Sequence, residues 1–166
     1  DRARYYADIL ETDVGMFYKR RDLSKVVNGK NPIVAHEYLG KDVKEKTVLV
    51  VDDMIASGDS ILEVSLELKK RGAKKIYLVA TFALFTAGIK RFEQYYKDGY
   101  FDRIYATNLC YVPKEALQQE WFVAVDCASF VAEIIDTVNK HESISPLMNG
   151  KKEIIERIRN KKMELS

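Results

Sequence analysis

Apolar positions along this chain switch between two periods, and the switching lays out an alternation of helices and strands. Ala3, Tyr6, Ala7 and Leu10 recur every three or four residues, the spacing of one helical face, and Gly15 separates that helix from the short strand-like run Met16-Phe17-Tyr18. Val48, Leu49, Val50 and Val51 form an unbroken β-branched and aliphatic run, the composition of a central parallel strand covered on both faces. Ile61, Val64 and Leu68 return to helical spacing, and residues 76–82 then give a second buried strand. Strand, helix and strand within about 35 residues make a βαβ unit, which implies a parallel pair and a right-handed crossover. The alternation continues through a helix over Ile89, Phe92 and Tyr96 ending near Gly99, and through strands over 104–109 and 121–125. A helix carrying Phe130, Val131, Ile134, Ile135 and Val138 stops before His141. After Pro146 and Gly150, residues 151–163 predict a very basic final helix with Ile154, Ile155 and Ile158 on one side.

Chemistry concentrates where the central strand meets the next helix. Charge is costly inside a packed sheet, so Asp52 and Asp53 are expected to end the strand at its carboxyl edge, where open α/β sheets place their ligands. Two carboxylates there can accept hydrogen bonds from vicinal sugar hydroxyls. Ser57 and Ser60 add hydroxyl donors, Gly58 can take a positive φ, and the backbone N–H groups of a helix amino end suit a phosphate. Ser60 is placed to cap that helix, and Asp59 reads as a helix-start residue. Lys69-Lys70-Arg71-Gly72 closes it with cations in the last turn and glycine just beyond, which is what the helix dipole and a left-handed exit favour.

A second candidate lies nearer the start. Lys19-Arg20-Arg21 precedes residues 22–32, a stretch rich in Lys, Asn, Gly and Ser with few large apolar side chains, which predicts a mobile functional loop. Residues 33–39 then suit a strand and 40–46 a polar turn.

Composition narrows the classes. At 166 residues and 47 % hydrophobic content the chain can bury one full core. Its 27 basic and 25 acidic side chains leave a net charge of +2, so nothing draws it to nucleic acid, and anion binding has to be local. Cys110 and Cys127 are too few for a disulfide framework and read as small core residues, while no signal segment opens the chain; the cytoplasm is the expected compartment. Residues 78–89 are the longest apolar stretch and fall short of the roughly 20 needed to cross a bilayer, so no membrane role is expected. His36 and His141 have no partner at metal-ligand spacing.

The run Val50-Val51-Asp52-Asp53-Met54-Ile55-Ala56-Ser57-Gly58-Asp59-Ser60 resembles the ribose 5-phosphate loop of ribose-phosphate pyrophosphokinases, the phosphoribosyl pyrophosphate (PRPP) synthetases. Arg2-Ala3 with Tyr6-Ala7, Lys19-Arg20-Arg21, Lys70-Arg71-Gly72-Ala73-Lys74 and Glu142-Ser143-Ile144-Ser145 are similar to the same family in the same order. The resemblance covers nearly the whole chain. It implies a phosphoribosyltransferase-like α/β fold, a doubly wound, mainly parallel sheet with helices on both faces. Residues 1–150 would form that domain, with a mobile loop at about 20–32, and 151–166 a basic terminal helix.

The family transfers a pyrophosphoryl group from Mg-ATP to the C1 hydroxyl of ribose 5-phosphate. By position, Asp52 and Asp53 would hold the ribose 2- and 3-hydroxyls, Ser57, Gly58, Asp59 and Ser60 would wrap the 5-phosphate, Ala56 falls in the same substrate-binding run, and Lys19 and Arg21 match the catalytic pair. Cofactor and partners implied are Mg2+, ATP, ribose 5-phosphate and further copies in a homo-oligomer. Ala56 stands where many members carry an acidic residue, and Asp59 is unusual in a phosphate loop. The family's pyrophosphate loop ends at the Arg-Ala matched by Arg2-Ala3, so its metal ligands and nucleotide-binding half would lie upstream of Asp1. This chain alone is then expected to bind ribose 5-phosphate with little or no turnover. Alternatives are a phosphoribosyltransferase that consumes PRPP at the same loop, or a catalytically silent regulatory subunit.

Overall fold

Four parallel strands in unbroken sequence order form the centre of the protein. The computed structural model describes residues 2–21 and 33–164, with the backbone alone for residues 19–21, 33–36 and 162. Its elements run α1 (Arg2–Leu10), β1 (Met16–Arg21), β2 (Ile33–Leu39), β3 (Thr47–Ile55), α2 (Asp59–Lys70), β4 (Lys75–Ala83), α3 (Lys90–Lys97), β5 (Arg103–Thr107), α4 (Lys114–Leu117), β6 (Phe122–Val125), α5 (Ala128–Asn139), α6 (Ser145–Met148) and α7 (Lys151–Glu164). β3, β4, β5 and β6 pair in that order, all parallel, which yields the expected α/β sheet flanked by helices. β1 and β2 pair antiparallel as a separate ribbon, Met16 opposite Leu39 and Lys19 opposite His36.

Period-two alternation decides which side of the sheet is packed. Ile76, Leu78 and Ala80 of β4 and Ile104 and Ala106 of β5 share one face and are buried. Ile61, Leu62 and Leu68 from α2 and Phe92 from α3 join the same core. Each such aliphatic side chain contributes about 1.5–3 kcal/mol on burial. Aromatics close the far end of this layer, where Phe92 stacks on Trp121 with centroids 6.0 Å apart and Phe85 meets Phe92 edge-on at 4.9 Å. The alternate residues Tyr77, Val79, Tyr105 and Val123 are only half-buried. α1 packs against β3 and α7, and Lys151 Nζ lies 3.9 Å from an Asp8 carboxylate oxygen.

Several elements differ from the sequence expectation. β3, read as a central strand, is the edge of the four-stranded sheet among the described residues, and its Leu49 is exposed. Its aliphatic run is explained by a cavity of about 940 Å³ beside that edge, which takes Val48 and Val50 from one face together with Leu49 and Val51 from the other. β3 also does not end at Asp52 and Asp53: Met54 still pairs with Phe82 and Ile55 with Ala83. The two carboxylates are tolerated there because Asp53 is exposed and paired with Arg2 and Asp52 is only partly buried. Ser60 does not cap α2. Gly58 occupies the cap position with φ 85°, and Ser60 lies inside the first turn. Lys19, Arg20 and Arg21 continue β1, paired with β2, instead of following a strand. Residues 22–32, the expected loop, fall outside the described residues.

Candidate functional site

The carboxyl end of β3 carries two adjacent carboxylates with different surroundings, Asp52 half-buried and Asp53 exposed. Asp52 lines a small cavity of about 130 Å³ together with Ala56, Ser57, Gly58, Asp59 and Ser60. It also lines the larger cavity along the β3 edge, which reaches Ser60 and the foot of β1 at Met16 and Phe17. Asp53 instead places a carboxylate oxygen 3.2 Å from Arg2 Nη1 on α1. The Asp53 backbone N–H donates to Asp52 Oδ1 at 2.8 Å, locking the Asp52 carboxylate against the strand.

These surroundings split the two acids. Partial burial pushes the Asp52 carboxyl above its ordinary value, with the neighbouring Asp53 carboxyl adding to the rise. The Arg2 guanidinium holds Asp53 below its ordinary value. Asp52 is therefore the more basic of the pair and the one that faces a cavity.

The turn after β3 owes its shape to one glycine. Gly58 has φ 85°, a left-handed conformation that costs little only without a Cβ. Space forbids a side chain as well, since a Cβ there would lie 2.2 Å from Phe92 Cζ. Phe92 is fully buried and cannot move aside. From this cap the Leu62 N–H donates to the Gly58 carbonyl at 3.0 Å and α2 begins. Asp59 is its first residue, as expected. Ser57 Oγ donates to Asp59 Oδ2 at 2.8 Å, and Arg91 of α3 donates to Asp59 Oδ1.

Structure thus brings Asp52, Ala56, Ser57, Gly58, Asp59 and Ser60 around one small cavity, with Asp53 adjacent but turned to Arg2. Lys19 and Arg21 lie on β1, whose first residues share the larger cavity with Asp52. Tyr38 on β2 holds this ribbon to the body of the protein: its ring lies 5.0 Å from Phe17, the Arg71 guanidinium sits over it at 5.2 Å, and its hydroxyl donates to the Lys41 carbonyl at 3.1 Å. Cys110 and Cys127 are free and half-buried.

Sequence reasoning missed Arg91. One signal existed: Lys90-Arg91 opens a helix, where the dipole disfavours cations, so a local anion had to compensate. Arg91's pairing partner lies 32 residues away and could not be named from spacing.

An acid, two hydroxyls and a left-handed glycine thus meet in the β3–α2 turn of a parallel sheet flanked by helices, an α/β architecture of the phosphoribosyltransferase-like class. The crystal structure of phosphoribosylpyrophosphate synthetase from Mycobacterium smegmatis shares this fold, with a TM-score of 0.67 and 22 % identity over 84 % of this chain and 42 % of that one. Residues 17–149 match the family described as the phosphoribosyl synthetase-associated domain, and the chain belongs to that family. Ribose-phosphate pyrophosphokinase from Vibrio cholerae serotype O1 is 30 % identical over 149 residues, 89 % of this chain and 44 % of the relative. The enzyme of the same name from Chromobacterium violaceum is 30 % identical over 149 residues, 89 % of this chain and 42 % of its own length. The chain spans less than half the length of these curated relatives.

Proposed function

We propose that this chain supplies the ribose 5-phosphate site and a basic strand of a ribose-phosphate pyrophosphokinase, which moves a pyrophosphoryl group from Mg-ATP to ribose 5-phosphate and releases AMP. The observation that carries this reading is the shared cavity of Asp52 with Ser57 to Ser60 at the carboxyl end of β3. Family membership and the names of the relatives agree with it.

In this reading Asp52 accepts a hydrogen bond from one ribose hydroxyl, and Asp53 takes the neighbouring one after leaving Arg2, an exposed pair of the kind that contributes little. Ser57, Ser60 and the first N–H groups of α2 hold the 5-phosphate. The ribose C1 oxygen attacks the β-phosphorus of ATP, and the bond from that phosphorus to the AMP oxygen breaks. Negative charge grows on the transferring oxygens, and Lys19 and Arg21, carried by β1, stabilise it.

Among the described residues no group of three or more His, Cys, Asp or Glu could hold a metal ion. Mg2+ would enter this reaction bound to the ATP phosphates, the usual way it reaches such enzymes. An ATP-binding half, outside this chain, completes the enzyme. Residues 1–150 act as the phosphoribosyltransferase-like domain and 151–166 as an appended basic helix. α5 supports assembly into a homo-oligomer: it has no buried residue, and Phe130, Val131, Ile135 and Val138 expose an apolar stripe. Among the described residues no helix is long and apolar enough to cross a membrane. Ala56 and Asp59 favour one second reading, a regulatory subunit that binds the sugar phosphate without turning it over.

Calorimetry tests the site. Ribose 5-phosphate is expected to bind this chain, and the double substitution Asp52→Ala, Asp53→Ala is expected to abolish the heat. Equal heats from both proteins overturn the assignment.

A further inference from the structure

Asp59 brings a carboxylate to the amino end of α2, the place a phosphate would take, and the structure supplies it with phosphate-like partners. Ser57 Oγ donates to one carboxylate oxygen at 2.8 Å, and the Arg91 guanidinium donates to the other. The Asp59 N–H also points back to Ser57 Oγ, at 3.5 Å. A hydroxyl, a guanidinium and a helix amino end are the donor set that phosphate oxygens use. After the larger effect of Asp59, Tyr95, one turn along α3, also favours the charged form of Arg91. Both charged groups remain about half exposed, Arg91 at 48 % and Asp59 at 57 %, so the pair can open without unpacking the core.

We propose that Asp59 is a tethered anion occupying the phosphate position of this loop, and that Arg91 passes from Asp59 to the incoming phosphate when a sugar phosphate binds. This deepens the proposed function and rests on it. A loop of this kind binds phosphate esters weakly, because every ligand competes with a carboxylate that is always present. It also makes binding depend on the charge of the ester, since only a dianion outbids the single charge of Asp59 for the guanidinium. Arg91 would then be a binding residue supplied from α3, outside the β3–α2 turn that otherwise forms the site.

The test is calorimetry with ribose 5-phosphate, inorganic phosphate and unphosphorylated ribose, on the wild-type chain and on Asp59→Asn, Arg91→Gln and the double variant. Asp59→Asn is expected to tighten ribose 5-phosphate and phosphate binding at least tenfold and to leave ribose unchanged. Arg91→Gln in that background is expected to remove the gain. Thermal melts of the variants confirm folding, which these exposed and nearly isosteric changes are expected to preserve. Unchanged or weaker phosphate binding in Asp59→Asn overturns the inference, as does a gain that survives Arg91→Gln. In either case binding that remains sensitive to Asp52→Ala, Asp53→Ala leaves the ribose 5-phosphate site standing. No binding of ribose 5-phosphate by any of the four proteins overturns both.

Discussion

Gly58 and Phe92 meet so closely that a Cβ on the glycine would come within 2.2 Å of the ring's Cζ. The backbone of the β3–α2 turn is thereby set against the aromatic end of the core, and turn shape and core packing become one problem. Gly58→Ala pays about 1–2 kcal/mol for its left-handed φ alone, and the clash adds to it. Phe92→Ala in the wild-type chain is expected to cost about 3–5 kcal/mol. Removing the ring also removes the clash, so the double variant is expected to be less destabilised than the two single losses combined, with a coupling of about 0.5–3 kcal/mol in urea unfolding. Strict additivity would show that the ring does not confine the loop.

Asp52 gives the site a pH signature. Burial raises its carboxyl in the folded protein above the ordinary 3.8, so the folded state binds the proton more tightly than the unfolded chain. That contribution to stability is complete below the ordinary value and is lost as pH rises through the raised one. Asp52→Asn keeps an acceptor for the Asp53 N–H and removes the charge. Its melting temperature is expected to exceed that of the wild type at pH 7, with the difference shrinking toward zero as pH falls below about 4. A constant difference across that range would remove the burial account of Asp52. Asp53 works in the opposite sense: Arg2 lowers its carboxyl, so its contribution is present above the ordinary value and fades as the solution is acidified.

Much of this arrangement was legible in the sequence because it follows from periodicity and from glycine. The helices over Ala3 to Leu10 and Ile61 to Leu68, the βαβ unit and the left-handed need at Gly58 are local patterns, and the structure contains each. The position of β3 was not legible, because a strand beside an apolar cavity and a strand between two others present the same aliphatic run. Ser60 was misplaced by one turn boundary, since Gly58 already serves as the cap and leaves no position for a hydroxyl there. Arg91 escaped because pairing across 32 residues depends on how α3 docks, which no local pattern encodes. The short helices α4 and α6, four residues each, are too brief to show a period.

The proposed function gives Lys19 a role in the transfer step and none in sugar binding, and the two roles separate experimentally. Lys19→Ala is expected to bind ribose 5-phosphate within about twofold of the wild-type affinity, while turnover in the assembled enzyme falls by about 100- to 1,000-fold, the usual loss of one charge-stabilising donor. Lost affinity with normal turnover would reverse the assignment.

Asp102 links the starts of two strands through both backbone groups of Ile76. Its carboxylate Oδ2 accepts the Ile76 N–H at 2.7 Å, and its own N–H donates to the Ile76 carbonyl at 2.8 Å. Ile76 is fully buried, so Asp102→Ala leaves its N–H without that acceptor, at an expected cost of about 1–3 kcal/mol. Asp102→Asn retains an acceptor oxygen and is expected to recover most of the loss in the same unfolding measurement. Equal destabilisation by both would place the effect on charge instead of on the buried N–H.

The edge position of β3 predicts a pattern in amide exchange. Leu78, Val79 and Ala80 of β4 have partners in both β3 and β5, so successive amides there are expected to exchange slowly without interruption. Among the described residues, only the β3 amides directed at β4 have a sheet acceptor, and alternate ones point to the open side of the strand. Protection along Val48 to Asp52 is therefore expected to alternate, slow then fast, in a chain studied alone. An open edge this aliphatic is an invitation to pair, which soluble proteins ordinarily suppress with charge or proline, and β3 carries neither before Asp52. Uniform protection of β3 at low protein concentration would mean that a further strand of the same chain covers it; protection that becomes uniform only as concentration rises would mean that a second molecule does.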